Sequence, residues 1–311
     1  MDFIFIIIGL VLLVLGGDWL LKSAVGMSLR LNIPKIIIGM TVVSFATSAP
    51  ELIVSVKSAM AGFPDIALGN VIGSNIANIG LILGIVMIIN AMKVDESFFK
   101  TDWPAMMISS ILLFAVLKYD GEINRIEGGI LFFLLICFVI YLIKFQKKSN
   151  TDVEIPLEKA MPMYQVILFL VIGGLGLWGG SELLITGAVN LAEAYGVSDR
   201  VIAVSVVAIG TSIPELAASI IAAVKKESSI SIGNIIGSNI FNILSVLGIT
   251  AIIHPIKIVD NRLMSFDIIW MLALSFVLIP LVLLPKKGFL DRKAGFVLLT
   301  AYFVFIYMTF K

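Results

Sequence analysis

The chain carries one stretch twice. Thr47-Ser48-Ala49-Pro50-Glu51, followed by GNVIGSNIAN from Gly69 to Asn78, returns as Thr211-Ser212-Ile213-Pro214-Glu215 and GNIIGSNIFN from Gly233 to Asn242. Every matched pair is 164 positions apart without a gap, and 23 of the 48 positions between Ile38 and Ile85 are identical in the copy from Ile202 to Ile249. Shared apolar composition does not produce identities in register over that length. Any fold proposed for this chain must hold two copies of one unit.

The surroundings of those copies are apolar. Hydrophobic residues make up 59% of the 311 positions, charged residues 14%, and the mean hydropathy is +1.09. Water-soluble domains use about 45–50% apolar residues. A helix crossing a bilayer needs about 20 mostly apolar residues, and the sequence supplies ten such runs, at 3–29, 33–60, 65–90, 103–118, 127–145, 163–192, 199–224, 230–253, 266–284 and 289–310. They predict an all-α polytopic membrane protein of ten transmembrane helices, forming one membrane domain. Breaks fall at Asn32-Ile33-Pro34, at Gly62-Phe63-Pro64-Asp65 and in the charged runs Lys93–Ser97 and Lys118–Glu122, where turn and pre-proline chemistry expects them. The first run lacks the basic flank and small-residue cleavage site of a signal peptide, and is read as a retained helix.

Five spans before the polar stretch Lys147–Pro156 and five after it place the second half on the opposite side of the membrane from the first. The expected organisation is therefore a first inverted repeat at 1–146, a short linker at 147–162 and a second inverted repeat at 163–311. Lys and Arg assign the sides. With the N-terminus outside, fifteen fall on the inner face and six on the outer, with Lys57 left near a helix end, in accord with the positive-inside rule. Both termini are expected outside a cell (plasma) membrane and the linker in the cytoplasm. A formal net charge of +1, with its cations scattered through short loops, excludes a nucleic-acid surface. Cys137, the single cysteine, lies within an apolar run and can form no internal disulfide.

Glu51 and Glu215 stand in otherwise apolar spans. An ionised carboxylate there costs several kcal/mol, so its default meaning is an ion or proton site. An inverted duplication brings equivalent mid-helix residues together near the bilayer centre, where two carboxylates repel unless a cation joins them. On a helix, Ser44, Thr47, Ser48, Glu51 and Ser55 share a face, repeated by Thr211, Ser212, Glu215 and Ser219. Pro50 and Pro214 cannot donate to the carbonyls of Ala46 and Gly210, so the helix bends there and carbonyl oxygens become available. Ser74 with Asn78, and Ser238 with Asn242, repeat at a spacing of four in the next span. Hard oxygen ligands without His or Cys select sodium, calcium or magnesium, and calcium accepts flexible sets of about six to eight oxygens more readily than magnesium.

TSxPE followed by GNxxGSNIxN, twice, in inverted halves of a ten-helix chain, resembles the alpha repeats of the cation/calcium exchanger superfamily, specifically a prokaryotic member of its sodium/calcium exchanger branch. The resemblance implies a secondary antiporter that exchanges sodium for calcium by alternating access. Its metal ligands would be Glu51 and Glu215, with Thr47, Ser48, Thr211 and Ser212 beside them. Ser74, Asn78, Ser238 and Asn242 would complete the sites from the next helices, and the carbonyls of Ser44 and Ala208 would join them. The calcium/proton branch carries GNxxE where this chain has TSxPE, and potassium-dependent members tend to carry Asp where it has Asn242, so sodium is expected as counter-ion, without a potassium requirement. Three sodium ions against one calcium, as the resemblance suggests, would make the exchange electrogenic. No cofactor, no obligate protein partner and no regulatory calcium-binding domain are expected. Calcium/proton or sodium/proton exchange is the alternative. Inverted repeats speak against a channel, and the absence of a nucleophile-base constellation speaks against an intramembrane enzyme.

Overall fold

The structure, a computed structural model, describes residues 2–145, 161–195, 210–284 and 288–309. It is all-α apart from four two-residue strands. In chain order the elements are α1 (Asp2–Leu31), α2 (Lys35–Thr47), α3 (Ala49–Met60), α4 (Pro64–Ile89), β1 (Met92–Lys93), α5 (Phe98–Asp120), β2 (Glu122–Ile123) and α6 (Arg125–Phe145). The remainder are α7 (Met163–Ala194), α8 (Ile213–Val224), α9 (Ser228–Ile253), β3 (Ile256–Lys257), α10 (Leu263–Leu283), β4 (Phe289–Leu290) and α11 (Arg292–Thr309). Among the described residues eight helices are long and apolar enough to cross a membrane, and the pair α2 and α3 makes a ninth span, bent by 45°. The seventh expected span, 199–224, lies partly outside the described residues; α8 is its described part.

The bend between α2 and α3 has a local cause. Pro50 has no N–H to donate backwards, and its ring excludes a continuous helix. The chain leaves helical geometry at Ser48 (φ −85°, ψ 5°) and restarts at Ala49 with proline in the first turn. Ser212 has the same geometry (φ −89°, ψ 3°) before Pro214 opens α8. Gly62, at φ 86°, closes the turn into α4, a conformation glycine adopts without a Cβ penalty.

Two features show how the halves combine. β1 pairs antiparallel with β4 and β2 with β3, so the connection after the third span of each half meets the connection after the fourth span of the other. The 164-residue step carries Met92–Lys93 onto Ile256–Lys257 and so exchanges one pairing for the other. Because the two pairings sit at opposite ends of α5, the pseudo-two-fold axis runs across the helices, as inverted repeats require. At the centre lie α4 and α9, with 72% and 89% of their most apolar stretch buried, against about a third or less for each of the other long helices. These two carry the duplicated GNxxGSNIxN motif.

α1 and α7 pack antiparallel along a glycine seam. A Cβ on Gly16 would stand 2.7 Å from the Leu177 nitrogen and one on Gly173 2.7 Å from the Leu20 nitrogen, while Gly9 faces Gly180 and Gly187 faces Asp2. Small residues at this seven-residue spacing let two backbones touch within a membrane.

Candidate functional site

The helix that each proline opens positions an acid. Glu51 and Glu215 sit in the first turns of α3 and α8, where free N–H groups and the helix dipole favour negative charge. Both are fully buried and lie within electrostatic reach of one another. Neither serine at the break caps its own helix. The Ser48 hydroxyl instead donates to Glu215 Oε1 at 3.1 Å, crossing from one half to the other.

Thr47 also crosses. Its hydroxyl donates to Asn234 Oδ1 at 3.2 Å and lies 3.4 Å from Ser238 Oγ, and Asn234 in turn donates to Ser219 at 3.0 Å. Thr211 makes the mirror arrangement, donating to Asn70 Oδ1 at 3.2 Å, with Asn70 donating to Ser55 at 3.1 Å. Asn70 and Asn234 thus have both ends of their amides engaged and act as braces that tie α3 and α8, and the threonines before them, to the central pair. Ser55 and Ser219 are the feet of those braces.

The remaining expected ligands come from α4 and α9. Ser74 and Ser238 are buried, as are Asn78 and Asn242. Each asparagine opens a π-helical turn, Asn78–Leu83 and Asn242–Leu247. One extra residue in a helical turn re-aims the side chains at its start, and such turns concentrate at functional positions. Nothing in the sequence apart from the repetition itself marks these turns.

The polar satisfaction of this region is unusual. Among the described residues ten buried side-chain nitrogen or oxygen atoms have no hydrogen-bond partner, and eight of them belong to the expected ligands: both oxygens of Glu51, Oε2 of Glu215, both amide ends of Asn78, Oδ1 of Asn242, and the hydroxyls of Ser74 and Ser212. An unpaired buried polar atom costs about 1–3 kcal/mol, more for a charge. A cation among these oxygens would offset that cost. Among the described residues no three His, Cys, Asp or Glu side chains cluster, so a cation here would be held by two carboxylates and neutral oxygens.

Two expected contributors stand apart. The Ser44 carbonyl already accepts the Ser48 N–H at 2.9 Å and has the Thr47 hydroxyl 3.3 Å away, and the Ser44 hydroxyl lies within hydrogen-bond distance of the backbone carbonyls of Gly39 and Asn234. Ala208 lies outside the described residues.

Comparison with known proteins assigns the chain to a family. A family described as "Sodium/calcium exchanger protein" matches over residues 1–144 and 165–311. The putative antiporter CaxA of Alkalimonas amylolytica is 36% identical, covering 99% of this chain and 98% of its own. The sodium/calcium exchanger MaX1 of Methanosarcina acetivorans is 30% identical, covering 99% and 98%. Among solved structures, the sodium-calcium exchanger NCX_Mj superimposes with a TM-score of 0.81 at 29% identity, covering 97% of each chain. The chain belongs to the sodium/calcium exchanger family.

Proposed function

We propose that this protein is a secondary antiporter exchanging sodium for calcium across the cell membrane. The observation that carries the reading is the group of eight buried, unpaired polar atoms around Glu51 and Glu215. Calcium would neutralise the two carboxylates and use the surrounding amide and hydroxyl oxygens, and sodium ions would occupy overlapping positions when calcium leaves. The ligands are Glu51, Glu215, Thr47, Ser48, Thr211, Ser212, Ser74, Asn78, Ser238 and Asn242, with the carbonyl of Ala208; the Ser44 carbonyl, which accepts the Ser48 N–H, would join them through its second lone pair. Because Asn78 and Asn242 are neutral, exchange needs no potassium, and entry of three sodium ions for one calcium makes it electrogenic.

The halves are residues 1–146 and 163–311, joined by a cytoplasmic linker at 147–162, with both termini outside. Alternating access requires part of the protein to move against the site. The seam of α1 and α7 supports their motion as a pair: these helices hold each other by backbone contact, and Gly17 of α1 meets α8 at the flexible end of Ile221. Their sliding would expose the site alternately to the two sides.

Calcium uptake into vesicles of purified protein, under separate sodium, potassium and proton gradients, tests the reading. Uptake driven by the sodium gradient, indifferent to potassium, is the expected result. Uptake driven only by a pH gradient would replace sodium with protons as the counter-ion.

A further inference from the structure

One asymmetry between the halves is not used by the ligand set. The Asn75 amide nitrogen donates to the backbone carbonyl of Asn239 at 3.2 Å and lies 3.8 Å from Met271 Sδ. The Asn242 amide nitrogen donates to Asn75 Oδ1 at 3.1 Å. Asn75, Asn239 and Asn242 are all buried, each no more than 1% exposed.

A carbonyl can only accept, and a thioether offers no donor. Both neighbours of the Asn75 nitrogen therefore require its NH2 end, which turns Oδ1 toward Asn242. Asn242 must then give its own NH2 end to Asn75, leaving Oδ1 as the atom without a partner. The polarity of this run of hydrogen bonds is set by the acceptor-only groups at the Asn75 nitrogen.

The pseudo-equivalent arrangement does not form. Asn239, the mate of Asn75, donates to the Ile235 carbonyl in its own helix at 2.9 Å, and Asn78, the mate of Asn242, has neither amide end engaged. Two amides at matching positions are thus prepared differently: a hydrogen bond fixes which end Asn242 presents, whereas none fixes Asn78.

We infer that Asn75 is a positioning residue which, anchored on the Asn239 carbonyl, holds the Asn242 carboxamide oxygen toward the cation. The inference rests on the ion-site reading above and adds to it a residue that touches no ion. A ligand held in place beforehand binds without the cost of ordering it, and loss of a group that orients a metal ligand typically weakens binding by about 10–100-fold.

The test is Asn75→Leu, close in shape but without donor or acceptor, measured in vesicles and in detergent. The apparent KM for calcium should rise about tenfold or more with kcat little changed, and calcium-induced thermal stabilisation should weaken in parallel. The same substitution in an Asn242→Ala background should add nothing further. Asn75→Ser, smaller and still polar, serves if the leucine variant does not fold, with the same expected non-additivity. An unchanged KM, or an equal rise in the Asn242→Ala background, overturns the inference and leaves Asn75 a packing residue. If the unmodified protein takes up no calcium under a sodium gradient, the exchange reading fails instead, and the calcium-induced thermal shift of the variants still decides the role of Asn75.

Discussion

Ser48 of the first half reaches Glu215 of the second, its hydroxyl donating to Oε1 at 3.1 Å, while its mate Ser212 has a buried hydroxyl with no partner. The motif is repeated, yet its two copies do different things. Ser48 ties down an acid of the other half. Ser212 is left with an oxygen that only an ion would use.

Removing each serine should therefore give different results. A hydrogen bond to a charged group is worth about 1.5–3 kcal/mol, so Ser48→Ala should lower the thermal stability of the ion-free protein and also weaken calcium uptake. Ser212→Ala should weaken uptake while leaving ion-free stability unchanged or slightly raised, since an unsatisfied buried hydroxyl disappears. Differential scanning fluorimetry in detergent without sodium or calcium separates the two. Equal loss of stability in both variants would contradict the asymmetry.

Glu51 is the stronger case, because neither of its oxygens has a partner and its side chain is fully buried. An uncompensated buried carboxylate is a cost that a neutral side chain of the same shape does not carry. Glu51→Gln should abolish calcium uptake and at the same time leave the ion-free protein at least as thermally stable as the unmodified chain. Calcium at a hundred times its Kd stabilises a binding-competent protein by about 2.7 kcal/mol; in the variant this calcium-induced shift should vanish. A variant that unfolds more readily without ions, yet still shifts with calcium, would assign Glu51 a structural role.

The division between what the residues declare and what they hide follows physical lines. Hydropathy places α4 at 65–90 and the structure at Pro64–Ile89, because a bilayer-length apolar run has little freedom in where it ends. Pro50 announces the bend, and Glu51 and Glu215 announce the site, because a charge in an apolar span needs a reason. The ends of α5 and α11 were less legible. α5 begins at Phe98, ahead of the expected 103, because a π-helical turn takes Lys100 and the buried Asp102 into the helix, residues that hydropathy excludes. Phe289 and Leu290 are apolar and read as helix, but Gly288 at φ 79° turns the chain and they pair with β1 instead. Least legible were the partners of Asn70 and Asn234 in the braces and of Asn75 in the relay, because these bonds join residues from different halves and no local spacing encodes them.

The glycine seam between α1 and α7 makes a graded prediction. A methyl group on Gly16 or Gly173 would meet backbone at 2.7 Å, and backbone cannot turn aside as a side-chain end can, whereas Gly179 on the same helix has nothing within 4 Å of the equivalent point. Overpacking typically costs about 1–3 kcal/mol. Gly16→Ala and Gly173→Ala should each lower thermal stability and slow transport, and Gly179→Ala should do neither. Comparable behaviour of all three would mean that α1 and α7 do not depend on backbone contact.

The crossed strand pairs allow the membrane orientation to be read chemically. Lys93 is opposite Phe289, and Glu122 is opposite Lys257. Facing Cα atoms in an antiparallel pair lie about 4.5–5.5 Å apart, within the span a disulfide bridges. In a background where the exposed Cys137 is replaced by serine, Lys93→Cys with Phe289→Cys should cross-link under mild oxidation, and so should Glu122→Cys with Lys257→Cys. With the termini outside, the first pair lies at the cytoplasmic face and the second at the outer face. A membrane-impermeant maleimide added to intact cells should then block cross-linking of the second pair and leave the first untouched. Blocking of the first pair alone would reverse the orientation while keeping the inverted fold, and failure of both pairs to cross-link would remove the crossed pairing from which the pseudo-two-fold relation is read.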